Sequence, residues 1–233
     1  MSRPTSVIQA RRLSKSFHGR LVLLEIDLDI ATGECVALTG NNGAGKTTLL
    51  RCLAAIARPT AGEVRWFGRP AGASAEQRRL LGVTAHESRL YPNLTLRENL
   101  IFAARMCGMS GPARRADATL ERIGLSRFAD RQARQASKGI RQRLALARVL
   151  VHDPPILLLD EPFCGLDAAG RGWLAGVLHE RRNAGCAVLF STHDEGQSRQ
   201  LADRTLSLHA KTLTDLRQPV ASGPPEEDLP QAA

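Results

Sequence analysis

Nine consecutive residues, "GNNGAGKTT" from Gly40 to Thr48, bring glycines, a lysine and two hydroxyls into one short stretch. They fit the spacing G-x-x-x-x-G-K-[ST]. A short apolar run, "ECVALTG", precedes them, and "KTTLLRCLAAIA", with helical spacing, carries on from their lysine. Glycines let the backbone of Gly40, Asn41, Asn42, Gly43, Ala44 and Gly45 curl until successive N–H groups face one phosphate. Lys46 then neutralises the β- and γ-oxygens, Thr47 reaches Mg²⁺, and Thr48 completes the phosphate-binding stretch. A second stretch, "ILLLDEP", sends four aliphatic residues through a core and delivers Asp160 to the end of a strand, where it can hold Mg²⁺ through water. Glu161 beside it can polarise an attacking water. Together the two stretches imply a hydrolytic nucleotide site. A third, "QASKGIRQR", places Ser137 and Gly139 ahead of the amphipathic run "RQRLALARVL". Such a helix start offers unpaired N–H groups and the positive end of a helix dipole to an anion. Ser137 is equally the residue that would cap a helix with no anion present.

These residues need a scaffold that brings strand ends and helix starts together. Apolar and charged residues alternate in "LEIDLDI" with the period of a half-exposed strand, so the chain is expected to begin with β structure. Strand, glycine loop and helix follow, and "RPTAGEVRWFG" then reads as a turn and a further strand. From about 90 to 150 the texture becomes helical, with Thr95 and Glu98 spaced as a capping box. "PILLLDE" and "CAVLFSTH" return as short apolar runs, the pattern of strands buried on both faces of a parallel sheet. The expected architecture is α/β: a parallel-sheet core around the phosphate loop, an N-terminal antiparallel β portion and an inserted helical subdomain at about 88–150. One domain is expected over residues 1–217. The tail at 218–233, rich in proline and acidic residues, is expected to be disordered.

Composition narrows the class. A chain of 233 residues with 43% hydrophobic content can bury a proper core. Its longest aliphatic runs, "LVLL" and "ILLL", fall far short of the roughly 20 residues that span a bilayer. No apolar core of signal-peptide length opens the sequence, so a cytoplasmic location is expected. Five cysteines without a CxxC pair or a Cys/His cluster read as reduced thiols, not zinc ligands. A net charge of +9 favours an anionic partner, but the arginines are scattered and rarely interleaved with aromatics. That is a solvated basic surface, and no specific nucleic-acid partner is expected.

The motifs, in their order, resemble the nucleotide-binding domain of ABC transporters over about residues 6–212. "ASKGIRQRLALARVL" runs on to "DEPFCGLD" and "STHD", with 21 residues from Gly139 to Asp160. The resemblance implies that ATP and Mg²⁺ are the ligands. It implies that Ser137 and Gly139 belong to the signature loop, Asp167 to the D-loop, and His193 is the switch histidine contacting the γ-phosphate. Phe17, 23 residues before Gly40, falls where the family places an aromatic that stacks on adenine. It also implies that two such domains, in a homodimer or heterodimer, pair head to tail. The signature helix of one would then cap the ATP held by the other, which would supply the anion for Ser137.

Two departures from the family pattern stand out. The signature, usually Leu-Ser-Gly-Gly-Gln, here reads Ala136-Ser137-Lys138-Gly139-Ile140, which sets a cation beside the phosphate. In "LGVTAHESRLYPNLTLRENL" the slot of the Q-loop glutamine holds His86, whose ring could coordinate Mg²⁺ or hold the attacking water, with a charge that varies near neutral pH. Either His86 or its neighbour Glu87 could take that role. The resemblance further implies transmembrane permease subunits on separate chains, met by residues 86–92, and a peripheral location on the cytoplasmic face of the membrane. Export is the expected direction. The Q-loop histidine and the Ser-Lys-Gly signature are similar to the haem-exporter ATPases of cytochrome c maturation; drug or polysaccharide export and a non-transport ATPase acting on nucleic acid are the alternatives. The last commonly carries two ATPase domains or a long coiled coil, and this chain has one phosphate loop and no heptad run.

Overall fold

The computed structural model describes residues 6–84 and 90–216. In chain order these form β1 (Ser6–Phe17), β2 (Arg20–Ala31), β3 (Cys35–Thr39), α1 (Lys46–Leu53), β4 (Ala61–Trp66), β5 (Arg69–Pro70), α2 (Ala75–Arg79) and β6 (Leu81–Thr84). There follow α3 (Leu96–Met106), α4 (Pro112–Arg122), α5 (Lys138–Leu150), β7 (Ile156–Leu159), α6 (Ala168–Asn183), β8 (Ala187–Ser191), α7 (Glu195–Leu201), β9 (Arg204–His209) and β10 (Thr212–Asp215). The tail expected to be disordered lies outside the described residues.

Two sheets carry the fold. One is antiparallel, in the order β2-β1-β4-β5; the other runs β10-β9-β3-β8-β7-β6, parallel throughout except for the β10/β9 hairpin. The period-two reading of β2 holds: Ile26, Leu28 and Ile30 are buried while Asp27 and Asp29 are exposed. Every residue of β7 and β8 is buried, as strands covered on both faces require. Alternation in β7 sends Ile156 and Leu158 into the cluster shared with α1 and the antiparallel sheet, and Leu157 and Leu159 into the cluster shared with α5 and α6.

A third apolar cluster joins α3, α4 and α5 through Leu96, Leu100, Leu120 and Leu144. Helix α5 therefore packs two ways, with Leu146 toward the parallel sheet and Leu144 toward α3 and α4. The capping box at Thr95 forms in full: its hydroxyl accepts from Glu98 N–H while the Glu98 carboxylate accepts from Thr95 N–H. Helix α1 ends at Leu53, short of the apolar run to Ala57, and Trp66 fixes that end by donating from Nε1 to Leu53 O at 2.9 Å. A fully buried Trp removes about 150–250 Å² from water. This contact ties the helix that begins at Lys46 to the antiparallel sheet.

Candidate functional site

The site grows from the C-terminal ends of β3, β7 and β8, three neighbours in the parallel sheet. Beyond β3 the chain turns through Gly40 to Gly45 and enters α1. Gly40 has φ +143, and a Cβ there would stand 2.4 Å from Leu208 O, so the backbone of β9 leaves no room for a side chain. Gly45 caps α1 at φ +108, with Val22 and Leu23 pressed against it. The curl of the loop thus depends on glycine at both ends. Lys46, nearly buried, donates from Nζ to Gly40 O at 2.7 Å and to Asn41 O at 3.4 Å, which holds its charge at the centre of the loop.

Strand β7 delivers Asp160 against α1. Thr47 Oγ1 donates to Asp160 Oδ2 at 2.7 Å, Ser191 Oγ donates to Asp160 Oδ1 at 2.7 Å, and Asp160 N–H donates to Thr84 Oγ1 at 3.0 Å. Ser191 also accepts from Glu161 N–H at 2.8 Å. Glu161 has φ +46, a conformation that a non-glycine residue keeps only where its surroundings hold it. Its carboxylate lies between Lys46 Nζ, 4.0 Å from Oε1, and His193 Nδ1, 3.1 Å from Oε2. A carboxylate so placed can take a proton from water, and the mostly exposed ring of His193 can orient it or meet a ligand.

These groups open onto a cavity of about 1650 Å³ lined by Gly40 to Gly43, Gly45 to Thr48, Asp160, Glu161 and His193. Ala44 accompanies the loop without lining the cavity. Mg²⁺ is implied by the donor set: a carboxylate and a threonine hydroxyl, both hard oxygen ligands, side by side. Mg²⁺ takes one or two such ligands and fills its remaining positions with water and phosphate. Among the described residues no group of three or more His, Cys, Asp or Glu is placed to hold a metal ion by itself.

Other expected residues stand elsewhere. Ser137 caps α5, accepting from Ile140 N–H at 3.4 Å, and Asp167 caps α6, accepting from Gly170 N–H at 2.8 Å; neither lines the cavity, nor does Gly139. Phe17 lies outside the lining too, 44% exposed at the end of β1 with Lys15 Nζ 4.7 Å from its ring centroid, while Val22 lines the cavity. His86 and Glu87 lie outside the described residues. Thr84 and Ser191, whose hydroxyls hold Asp160, were not anticipated. Parallel pairing sets Thr84 beside Leu159 and Leu159 beside Phe190, which brings both hydroxyls level with Asp160.

A glycine phosphate loop on a parallel sheet, with a buried aspartate and a glutamate at the end of a neighbouring strand, defines a P-loop nucleoside triphosphatase. The chain belongs to the ABC transporter family, whose profile matches residues 23–164. It is 40% identical over 229 residues to the aliphatic sulfonates import ATP-binding protein SsuB 3 of Paraburkholderia xenovorans, covering 97% of this chain and 83% of that one. It is 38% identical over 200 residues to the Nod factor export ATP-binding protein I of Burkholderia orbicola, covering 84% and 66%. The cassette MJ0796, solved as a dimer in a post-hydrolysis state with ADP and Pi, superposes with a TM-score of 0.82 at 28% identity, covering 91% and 99%. The chain is an ABC transporter ATPase that hydrolyses ATP coupled to transport. Among the described residues, no helix is long and apolar enough to cross a membrane.

Proposed function

We propose that this chain powers permease subunits carried on separate chains, as one half of a head-to-tail ATPase dimer on the cytoplasmic face of the membrane. The observation that carries the reading is the convergence of Lys46, Thr47, Asp160, Glu161 and His193 on one cavity. Lys46 and the N–H groups of the loop bind the phosphates of ATP, and the exposed ring of Phe17 covers the adenine. Thr47 and Asp160 would hold Mg²⁺, which would supply positive charge to offset that of the phosphate oxygens. Glu161 accepts the proton of the attacking water, and His193 orients Glu161 and meets the γ-phosphate. His86 assists from the Q-loop. Ser137, Gly139 and Asp167, which lie outside their own chain's cavity, act on the ATP of the partner copy. A related cassette solved as a dimer supports that arrangement.

Residues 86–92, of which 90–92 are described, remain the permease contact of this reading, and to them it adds a second cavity, about 320 Å³, between α1, β6, α3 and α5. Phe102, Val83 and the exposed Ile56 and Met106 line it, together with Thr47 and Asp160. A permease segment seated there would touch the metal-holding pair directly. Export is the direction proposed, supported by the Ser-Lys-Gly signature and the Nod factor relatives. Relatives named for import of sulfonates, sulfate/thiosulfate and spermidine/putrescine match to a similar extent, and none of these names supports haem as the cargo. Purifying the tagged chain from membranes with its partners tests the reading. A multi-spanning permease in the complex, with ATP hydrolysis that Lys46→Ala abolishes by weakening nucleotide binding, is expected. Unchanged ATP affinity in Lys46→Ala would overturn the assignment of the phosphate loop.

A further inference from the structure

Between Glu161 and α6 the chain makes a tight turn. Cys164 N–H donates to Glu161 O at 3.1 Å, Leu166 N–H donates to Phe163 O at 3.3 Å, and Gly165 has φ +76. The first turn of α5 lies against it: Lys138 Cε is 3.5 Å from where a Gly165 Cβ would stand, and a Cβ on Gly139 would be 3.7 Å from Gly165 O. One turn further along α5, Arg143 Nη2 donates to Asp167 Oδ1 at 2.5 Å, the same oxygen that accepts from Gly170 N–H to cap α6. Space for this contact comes from Gly170. A Cβ there would stand 2.8 Å from Asp167 Oδ1 and 3.0 Å from Arg143 Nε, although the backbone of Gly170 does not require glycine.

We propose that Arg143 is a positioning residue: by gripping Asp167 through the gap that Gly170 leaves, it couples α5 to the turn that holds Glu161 in its left-handed conformation. The proposal rests on the assignment of Glu161 under the proposed function. Helix α5 packs at once on the parallel sheet and on α3 and α4. A shift of the helical layer is therefore passed through the Arg143–Asp167 pair to the far end of the Glu161 turn. Apart from the role of Asp167 toward the partner copy's ATP, Arg143 acts within its own chain, on the placement of Glu161.

The test is steady-state ATP hydrolysis, KM, nucleotide affinity and melting temperature for Arg143→Ala, Arg143→Lys and Gly170→Ala. Gly170→Ala is the decisive variant. It keeps both charged groups, and its gain in helix propensity offsets the strain on the capping bond from Gly170 N–H to Asp167 Oδ1, while the added methyl crowds that oxygen and Arg143 Nε and so displaces their contact. Expected are a fall in kcat of about tenfold for Arg143→Ala and Gly170→Ala, KM and nucleotide affinity within twofold of the parent, and an unchanged melting temperature for Gly170→Ala; misplacing a reacting group by about 1 Å costs rate on this scale or more. Arg143→Lys, which keeps a charged donor, should fall between. Parental kcat in Gly170→Ala and Arg143→Ala would overturn the proposal, as would a loss of kcat only in proportion to lost folding. Glu161→Gln assayed alongside separates the two readings: parental hydrolysis in that variant strikes the assignment of Glu161 itself, whatever the others show.

Discussion

The Thr47 hydroxyl donates to Asp160 Oδ2 at 2.7 Å across 113 residues of sequence, so the first turn of α1 and the end of β7 meet at a single buried carboxylate. Ser191 takes the other oxygen. Asp160→Asn keeps the shape of this network but removes the charge. Hydrolysis should fall by about a hundredfold, about 2.7 kcal/mol of barrier, and a titration with Mg²⁺ should need much more metal to reach half-maximal rate. A variant with the parental Mg²⁺ dependence would remove Asp160 from the metal site.

Glu161 stands between Lys46 and His193, near enough to the phosphate loop to serve a water and tied to β8 through Ser191. Glu161→Gln retains the side chain's size and hydrogen bonding while removing the base. It should lower kcat by about 10²–10⁴ with ATP binding kept, and so accumulate an ATP-bound dimer detectable by size-exclusion chromatography. His193→Ala should lower kcat less, because it removes only what orients the carboxylate on one side. Rapid turnover by Glu161→Gln would mean that another group activates the water.

Much of this arrangement was legible in the residues because local chemistry and local pattern coincide there. Gly40 and Gly45 need φ values that other residues resist, and the strand before them and helix after them were readable by period. The short apolar runs of β7 and β8 announced a parallel sheet. The sheet order was not legible: that β6, β7, β8 and β3 lie side by side follows from packing, and only this order brings Thr84 and Ser191 to Asp160. The Arg143–Asp167 pair was hidden for the same reason, since each residue reads as ordinary helix chemistry until α5 and α6 are docked. Phe17 stands at the expected spacing, but that it would lie exposed beside Lys15 at the end of β1 was not legible from spacing.

Cysteine reactivity offers a direct probe of the nucleotide cavity. Cys164 is exposed and lines that cavity, whereas burial pushes the Cys35 thiol up to about 12 and the Cys186 thiol up to about 11. Burial raises Cys52 and Cys107 as well. Since the thiolate is the nucleophile, iodoacetamide should modify Cys164 first, Cys107 more slowly, and Cys35, Cys52 and Cys186 only after denaturation. ATP with Mg²⁺ should slow the first reaction severalfold, as read by peptide mass spectrometry. Labelling of Cys164 at one rate with and without nucleotide would place ATP somewhere else.

His152 gives the fold an acid-sensitive point in the lining of the second cavity. Its ring follows α5 into the space between α1, β6 and α3, and burial lowers its pKa from the ordinary 6.5 against the opposing pull of the Leu81 backbone and Asp153; Arg181 adds to the lowering. In the unfolded chain the ring takes up its proton near 6.5, and in the folded chain only at lower pH. Below 6.5 the unfolded state therefore binds more protons, so the stability held at higher pH is lost as pH falls through the window between the two values. Asp29, Asp117 and Asp167, whose values lie below the usual 3.8, exert their effect in a more acid range. The melting temperature should thus drop as pH falls below about 6.5, and His152→Gln, which stays neutral throughout, should flatten that drop. Parallel slopes for the two proteins would show that another group titrates there.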